Sequence, residues 1–171
     1  MTSSAQPVGF IQLTNDEAEY YKDLPVVDNM TTGVFISPPT SDTHLLKIAH
    51  HGHSFENQVR TEKGRVFSAP ARDTNNALPS YIPEDADKAL REGLRQFVPG
   101  VSERPWVRRQ LCWYTETPKG NFVVDNHDRI ESLFLATGGS GHAFKILPVI
   151  GAYIVDCFED KASRNYKISG D

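Results

Sequence analysis

Leu133-Phe134-Leu135-Ala136-Thr137-Gly138-Gly139-Ser140-Gly141-His142-Ala143-Phe144-Lys145 is the stretch on which the fold turns. The apolar run from Ser132 to Thr137 reads as a strand, the three glycines as a turn, and Lys145 to Phe158 as a helix. Pro148 suits the first turn of that helix, where a missing N–H costs nothing, and would break its middle. Glycines at a strand-to-helix junction let the backbone approach a ligand, and the helix start behind them offers unpaired N–H groups and partial positive charge. The expected ligand at such a junction is a phosphate or another delocalised anion. The alternative is a tight turn with no ligand.

Outward from this stretch, Arg108–Thr115 and Phe122–Asn126 read as strands joined by the turn Thr117-Pro118-Lys119-Gly120. Upstream, Val8–Leu13 reads as a strand. Thr14 with Glu17 three residues later is a capping-box pattern that predicts a short helix over Asn15–Lys22. Thr32–Ser37 reads as a strand stopped by Pro38-Pro39, and Thr43–His50 as its antiparallel partner. Residues 60–82 are polar and rich in turn formers and read as a long loop. Pro83 opens the clearest helix, with Glu84, Asp85 and Asp87 at its positive end and Ala86, Leu90, Leu94 and Phe97 on one apolar face. Pro99-Gly100 ends it. The tail after Glu159 is polar and expected to fray. The class expected is α+β: a mixed or antiparallel sheet with helices over residues 1–105, followed by the strand, glycine turn and helix over 106–171.

The 171 residues are 39% hydrophobic and 23% charged, an ordinary globular balance, with a net charge of -4. That charge, with Lys and Arg scattered, speaks against a nucleic-acid surface. No apolar run reaches the roughly 20 residues needed to span a bilayer. The first six residues are polar and lack a signal core, so an intracellular location is expected. Cys112 and Cys157 are too few for a disulfide framework. Asn29-Met30-Thr31 fits a glycosylation sequon but has no secretory context. His50, His51 and His53 suggest a metal site, but strand alternation separates His50 from the other two and no cysteine or acidic ligands accompany them.

The glycine stretch, together with Leu111-Cys112-Trp113-Tyr114-Thr115-Glu116-Thr117-Pro118, Phe122-Val123-Val124-Asp125-Asn126-His127 and, upstream, Leu45-Leu46-Lys47-Ile48, resembles one family. These are the FAD-dependent amine oxidases that include sarcosine, pipecolate, saccharopine and fructosyl amino acid oxidases. Two departures stand out. Asp128 replaces the family's proline after His127, and Ala143 replaces the glycine before Phe144. No Gly-x-Gly-x-x-Gly fingerprint is present, so the resemblance implies a C-terminal part lacking the nucleotide-binding segment and holding FAD weakly by itself.

The resemblance implies a role for each of eight residues. Cys112 matches a cysteine that carries flavin covalently; the alternative is a buried structural thiol. Lys47 matches a lysine that promotes reaction with oxygen; the alternative is a solvated strand lysine. Lys145 matches a lysine that grips the substrate carboxylate; the alternative is an ordinary helix lysine. Tyr114 would line the flavin or pack in the core, and Gly139, Ser140, Gly141 and His142 would form the turn that meets the flavin. The activity implied is oxidation of the C–N bond of a secondary amino acid with oxygen as acceptor, in the cytoplasm or peroxisome. The alternative is a non-catalytic chain that pairs with a separate nucleotide-binding chain.

Overall fold

The computed structural model describes residues 1–52, 54–70 and 81–160. It has the α+β class expected. Two compact units are assembled from separated stretches: Ala5–Glu56 with Pro70–Trp113, and Met1–Ser4 with Asn57–Ala69 and Tyr114–Asp171.

The first unit is organised by a five-stranded sheet built from β1 (Thr2–Gln12), β2 (Val27–Asn29), β3 (Val34–Ser37), β4 (Leu45–His50) and β7 (Arg108–Glu116), in the order β2-β3-β4-β1-β7. Strands β3 and β4 pair antiparallel as the sequence predicts, with Ile36 opposite Ile48, and β4 pairs antiparallel with β1, Ile11 opposite Leu46. Alternation then puts Ile11, Val34, Ile36, Leu46 and Ile48 on one face, all buried. Onto it packs α2 (Glu84–Phe97) through Ala86, Leu90 and Leu94. A Cβ on Gly93 would lie 2.4 Å from Val34 Cγ1, so glycine there sets how closely helix and sheet approach.

Short helix α1 (Asn15–Tyr21) carries the capping box read from the sequence: Glu17 N donates to Thr14 Oγ1 (3.3 Å) and Thr14 N to Glu17 Oε2 (2.9 Å). Pro83 sits one position earlier than expected, as the cap of α2 with φ -56° and ψ 153°; its ring fixes a φ that suits the cap as well as the first turn.

In the second unit, β5 (Gln58–Arg60) forms a hairpin with β6 (Val66–Ser68), most of which falls within the stretch from residue 60 read as loop. Gly64 at φ 78° turns it, with Thr61 N donating to Arg65 O (2.9 Å). Its strands are largely exposed, so they lack the hydrophobic alternation by which a strand is recognised. The rest of that predicted loop over 71–80, and the predicted fraying after residue 160, lie outside the described residues. β8 (Val123–Asn126) pairs with β9 (Phe134–Thr137) and not with β7, although the turn between β7 and β8 forms with Gly120 N donating to Thr117 O (3.0 Å). The last helix begins two residues later than expected: a 3-10 segment, Ala143–Ile146, leads into α3 (Leu147–Phe158), with Pro148 in its first turn.

Candidate functional site

The glycine turn is built by its own hydrogen bonds. Gly138 and Gly141 take φ 77° and 71°, and Ser140 is left-handed at φ 46°. Ser140 Oγ donates to Gly138 O (3.1 Å), Ser140 N to Thr115 O (3.0 Å), and the N–H groups of His142 and Ala143 both donate to Gly139 O. His142 Nδ1 lies 3.0 Å from Ser140 O, and its ring rests against Phe122, so His142 serves the turn. Among the described residues no acceptor meets the N–H groups of Gly139 or Gly141. Both N–H groups are unengaged by any described residue, and α3 starts beyond the turn, after the 3-10 segment.

Tyr114 is brought to this turn. A Cβ on Gly141 would lie 2.4 Å from Tyr114 Cε2, so the missing side chain makes room for the phenol ring. Lys145 follows in the 3-10 segment, exposed, with no carboxylate against it among the described residues. Cys157 Sγ donates to Val124 O (3.3 Å), and Phe158 stands edge-on to Phe134, which ties α3 to the β8–β9 pair. The outer side of α3 is apolar and open: no residue of the helix is buried, and Leu147, Val149, Tyr153 and Val155 are each about half exposed.

Lys47 and Cys112 belong to the other unit and share a sheet face. Lys47 alternates with the buried Leu46 and Ile48 and so points away from α2. It stands opposite Phe10 on β1, and its Nζ lies 5.7 Å from the Phe35 ring centroid. On β7, Arg109 and Leu111 face α2: Arg109 Nη1 pairs with Asp87 Oδ1 (2.7 Å) and Leu111 packs on the core. Arg108, Gln110 and Cys112 therefore face the same way as Lys47, and Arg108 stacks on Phe10 at 4.3 Å. Lys47 has no carboxylate partner among the described residues, so its charge is offset only by an aromatic face.

Arg108 and Arg109, which precede Cys112 on β7, are engaged by Phe10 and Asp87. What the structure gives Cys112 is an amide: Gln110 Nε2 lies 3.5 Å from Sγ. Sequence reasoning missed Gln110, although its i, i+2 spacing from Cys112 signals the shared strand face. It missed Phe10 and Phe35 because cross-strand neighbours are set by register. Among the described residues no group of three or more histidines, cysteines or acids is placed to hold a metal, and His53 lies outside them. No helix of the described residues is long and apolar enough to cross a membrane.

Comparison with known proteins gives the same direction from independent ground. Residues 8–157 match the model of the family described as FAD dependent oxidoreductase. The L-saccharopine oxidase of Schizosaccharomyces pombe is 33% identical over 165 residues, covering 94% of this chain and 37% of that protein. A monomeric sarcosine oxidase of Bacillus sp. strain NS-129 is 31% identical over 149 residues, 85% of this chain and 34% of its own length. The crystal structure of the fructosamine oxidase Amadoriase II from Aspergillus fumigatus superposes with a TM-score of 0.84 at 30% identity, covering 95% of this chain and 37% of that one. The chain thus spans a little over a third of the length of these relatives. A matched family model over most of the chain, with the same fold in a solved relative, places this chain in the FAD dependent oxidoreductase family.

Proposed function

We propose that this chain supplies the substrate side and the C-terminal flavin-contacting turn of an FAD-dependent amine oxidase that acts on a secondary amino acid, with residues 1–105 serving the substrate and 106–171 the flavin. The observation that carries the reading is the glycine turn with two unengaged N–H groups, preceded by a thiol and followed by an exposed ammonium in the family's order. These donors suit the electron-rich edge of an isoalloxazine, and the thiol at Cys112 suits its covalent attachment, so the residues present fit the cofactor. When bound, FAD supplies the acceptor that takes hydride equivalents from the carbon beside the amine nitrogen and returns the electrons to oxygen, yielding hydrogen peroxide.

The chain's own residues do the rest. Gly139 and Gly141 N–H hold negative charge on the cofactor. Lys145 pairs with the substrate carboxylate, and as a compact cation it tolerates several substrate shapes. Lys47, without a carboxylate of its own, stabilises negative charge developing on oxygen. Gln110 orients the Cys112 sulfur by donating to it. Saccharopine, sarcosine and fructosyl amino acids, named for the relatives, define the substrate class. The compartment that goes with this reading is cytoplasm or peroxisome.

A chimera tests it: this chain replaces the matching third of the Aspergillus fumigatus fructosamine oxidase. The expected product keeps flavin absorbance and releases peroxide with a secondary amino acid. Lys47→Met should slow its reaction with oxygen by about tenfold or more while leaving anaerobic flavin reduction intact. A chimera folded by circular dichroism but devoid of flavin, or a Lys47→Met form that reacts with oxygen at the parent rate, overturns the proposal.

The apolar outer side of α3 favours a second reading, in which this chain works by docking a separate nucleotide-binding chain. Co-expression with the nucleotide-binding portion of a relative distinguishes it. A stable 1:1 complex supports docking, and two separate monomers at micromolar concentration refute it.

A further inference from the structure

Lys47 is held by a ring and not by a carboxylate. On β4 it stands opposite Phe10 of β1 and Ser37 of β3, so the three side chains rise on the sheet face away from α2. Phe35 lies two residues before Ser37 on that same face, at the diagonal position that a long side chain reaches across a strand pair. Ser37 and Ala49, directly opposite Lys47 and Phe35, are small and leave the diagonal open. The Lys47 ammonium takes it, with Nζ 5.7 Å from the centroid of the Phe35 ring.

The other aromatic neighbour is already in use. Phe10 stands directly opposite Lys47, but the Arg108 guanidinium lies over its ring at 4.3 Å. A second cation beside that ring would meet a like charge. Register and charge together direct Lys47 towards β3.

The kind of partner decides what the ammonium can do. A carboxylate would fix Lys47 and cancel its charge. The face of a benzene ring attracts a cation through its quadrupole yet carries no net charge. The ammonium is therefore restrained and still able to stabilise a negative charge developing beside it. Without the ring, the flexible four-carbon stem would lose more rotamer freedom each time it is placed.

We propose that Phe35 is a positioning residue for the reaction with oxygen, its ring face holding the Lys47 ammonium in place; this rests on the oxygen role given to Lys47 above. Two measurements test it. In the purified chain with lysine labelled at Cε, the Lys47 ε protons, identified by their loss in Lys47→Met, should be shifted by the Phe35 ring current. That shift should vanish in Phe35→Leu and persist in Phe35→Tyr. In the fructosamine oxidase chimera, Phe35→Leu should slow reoxidation of the reduced flavin about threefold, the change that a partly exposed cation–π contact corresponds to, while anaerobic reduction keeps its rate. Phe35→Met, closer in volume, should do the same, and Phe35→Tyr should restore the rate. With Lys47→Met in place, Phe35→Leu should slow the reaction no further. An unshifted Lys47 signal overturns the contact. Where Lys47→Met is slow, the positioning role is overturned if Phe35→Leu and Phe35→Met both react at the parent rate. It is also overturned if Phe35→Tyr is as slow as Phe35→Leu, or if Phe35→Leu further slows the Lys47→Met form. Lys47→Met reacting at the parent rate removes the oxygen role itself, and the positioning role with it.

Discussion

Glu17 ties two local features together, and its removal should be measurable across pH. Its carboxylate closes the α1 capping box with Thr14 and forms a two-pronged pair with Arg104, Oε2 at 2.7 Å from Nη1 and Oε1 at 2.5 Å from Nη2. Hydrogen bonding to Arg104 first, and then to the Thr14 backbone, holds its pKa at about 2, down from 4.5. Taken without screening, that fall corresponds to roughly 3 kcal/mol of folding stability at neutral pH. Solvent reaches 29% of the Glu17 side chain and 34% of that of Arg104. We therefore expect about 1–2 kcal/mol, near the upper end for a paired surface carboxylate plus a cap. The folded pKa is the lower one, so this stability is present above the unfolded value near 4.5 and is lost as pH falls through about 2. Urea unfolding of the parent and of Glu17→Gln from pH 7 to pH 2 measures it. The two midpoints should differ by that amount at pH 7 and converge in acid. Equal midpoints at pH 7, or a gap that stays constant to pH 2, would refute the assignment.

Three further outcomes follow from packing and site geometry. Leu90→Ala, at a fully buried position of α2, should cost about 2–5 kcal/mol in urea unfolding. Gly141→Ala should destabilise by about 1–3 kcal/mol because it meets both the φ of 71° and the Tyr114 ring; adding Tyr114→Ala should relieve the ring clash but not the backbone cost, as a double-mutant cycle would read. In the fructosamine oxidase chimera, Cys112→Ser should abolish flavin absorbance that survives acid precipitation while leaving non-covalent flavin, and Gln110→Ala should slow the attachment without preventing it.

Most local structure was legible in the sequence wherever one residue type answers to one physical need. Thr14 and Glu17 announce a helix start because an orphan N–H needs an oxygen three residues away, and both bonds form. The alternation Leu46-Lys47-Ile48 announces a half-buried strand. The hairpin Gln58–Ser68 was not legible, since its exposed strands carry no alternation to read. The 3-10 start at Ala143 was not legible either, as a helix boundary within a turn or so depends on hydrogen bonds that the residue types do not dictate.

The sequence by itself determined the α+β class, the glycine turn and the order thiol, turn, ammonium, because φ preferences and hydrophobic periodicity act within a few residues of chain. Only the tertiary structure decided that β8 pairs with β9, that Tyr114 fills the space at Gly141, and that Lys47, Phe10 and Arg108 lie on one face. It also decided that the Lys47 ammonium lies over the Phe35 ring on the neighbouring strand. Pairing and register join residues far apart in the chain, and they are settled by which surfaces bury together.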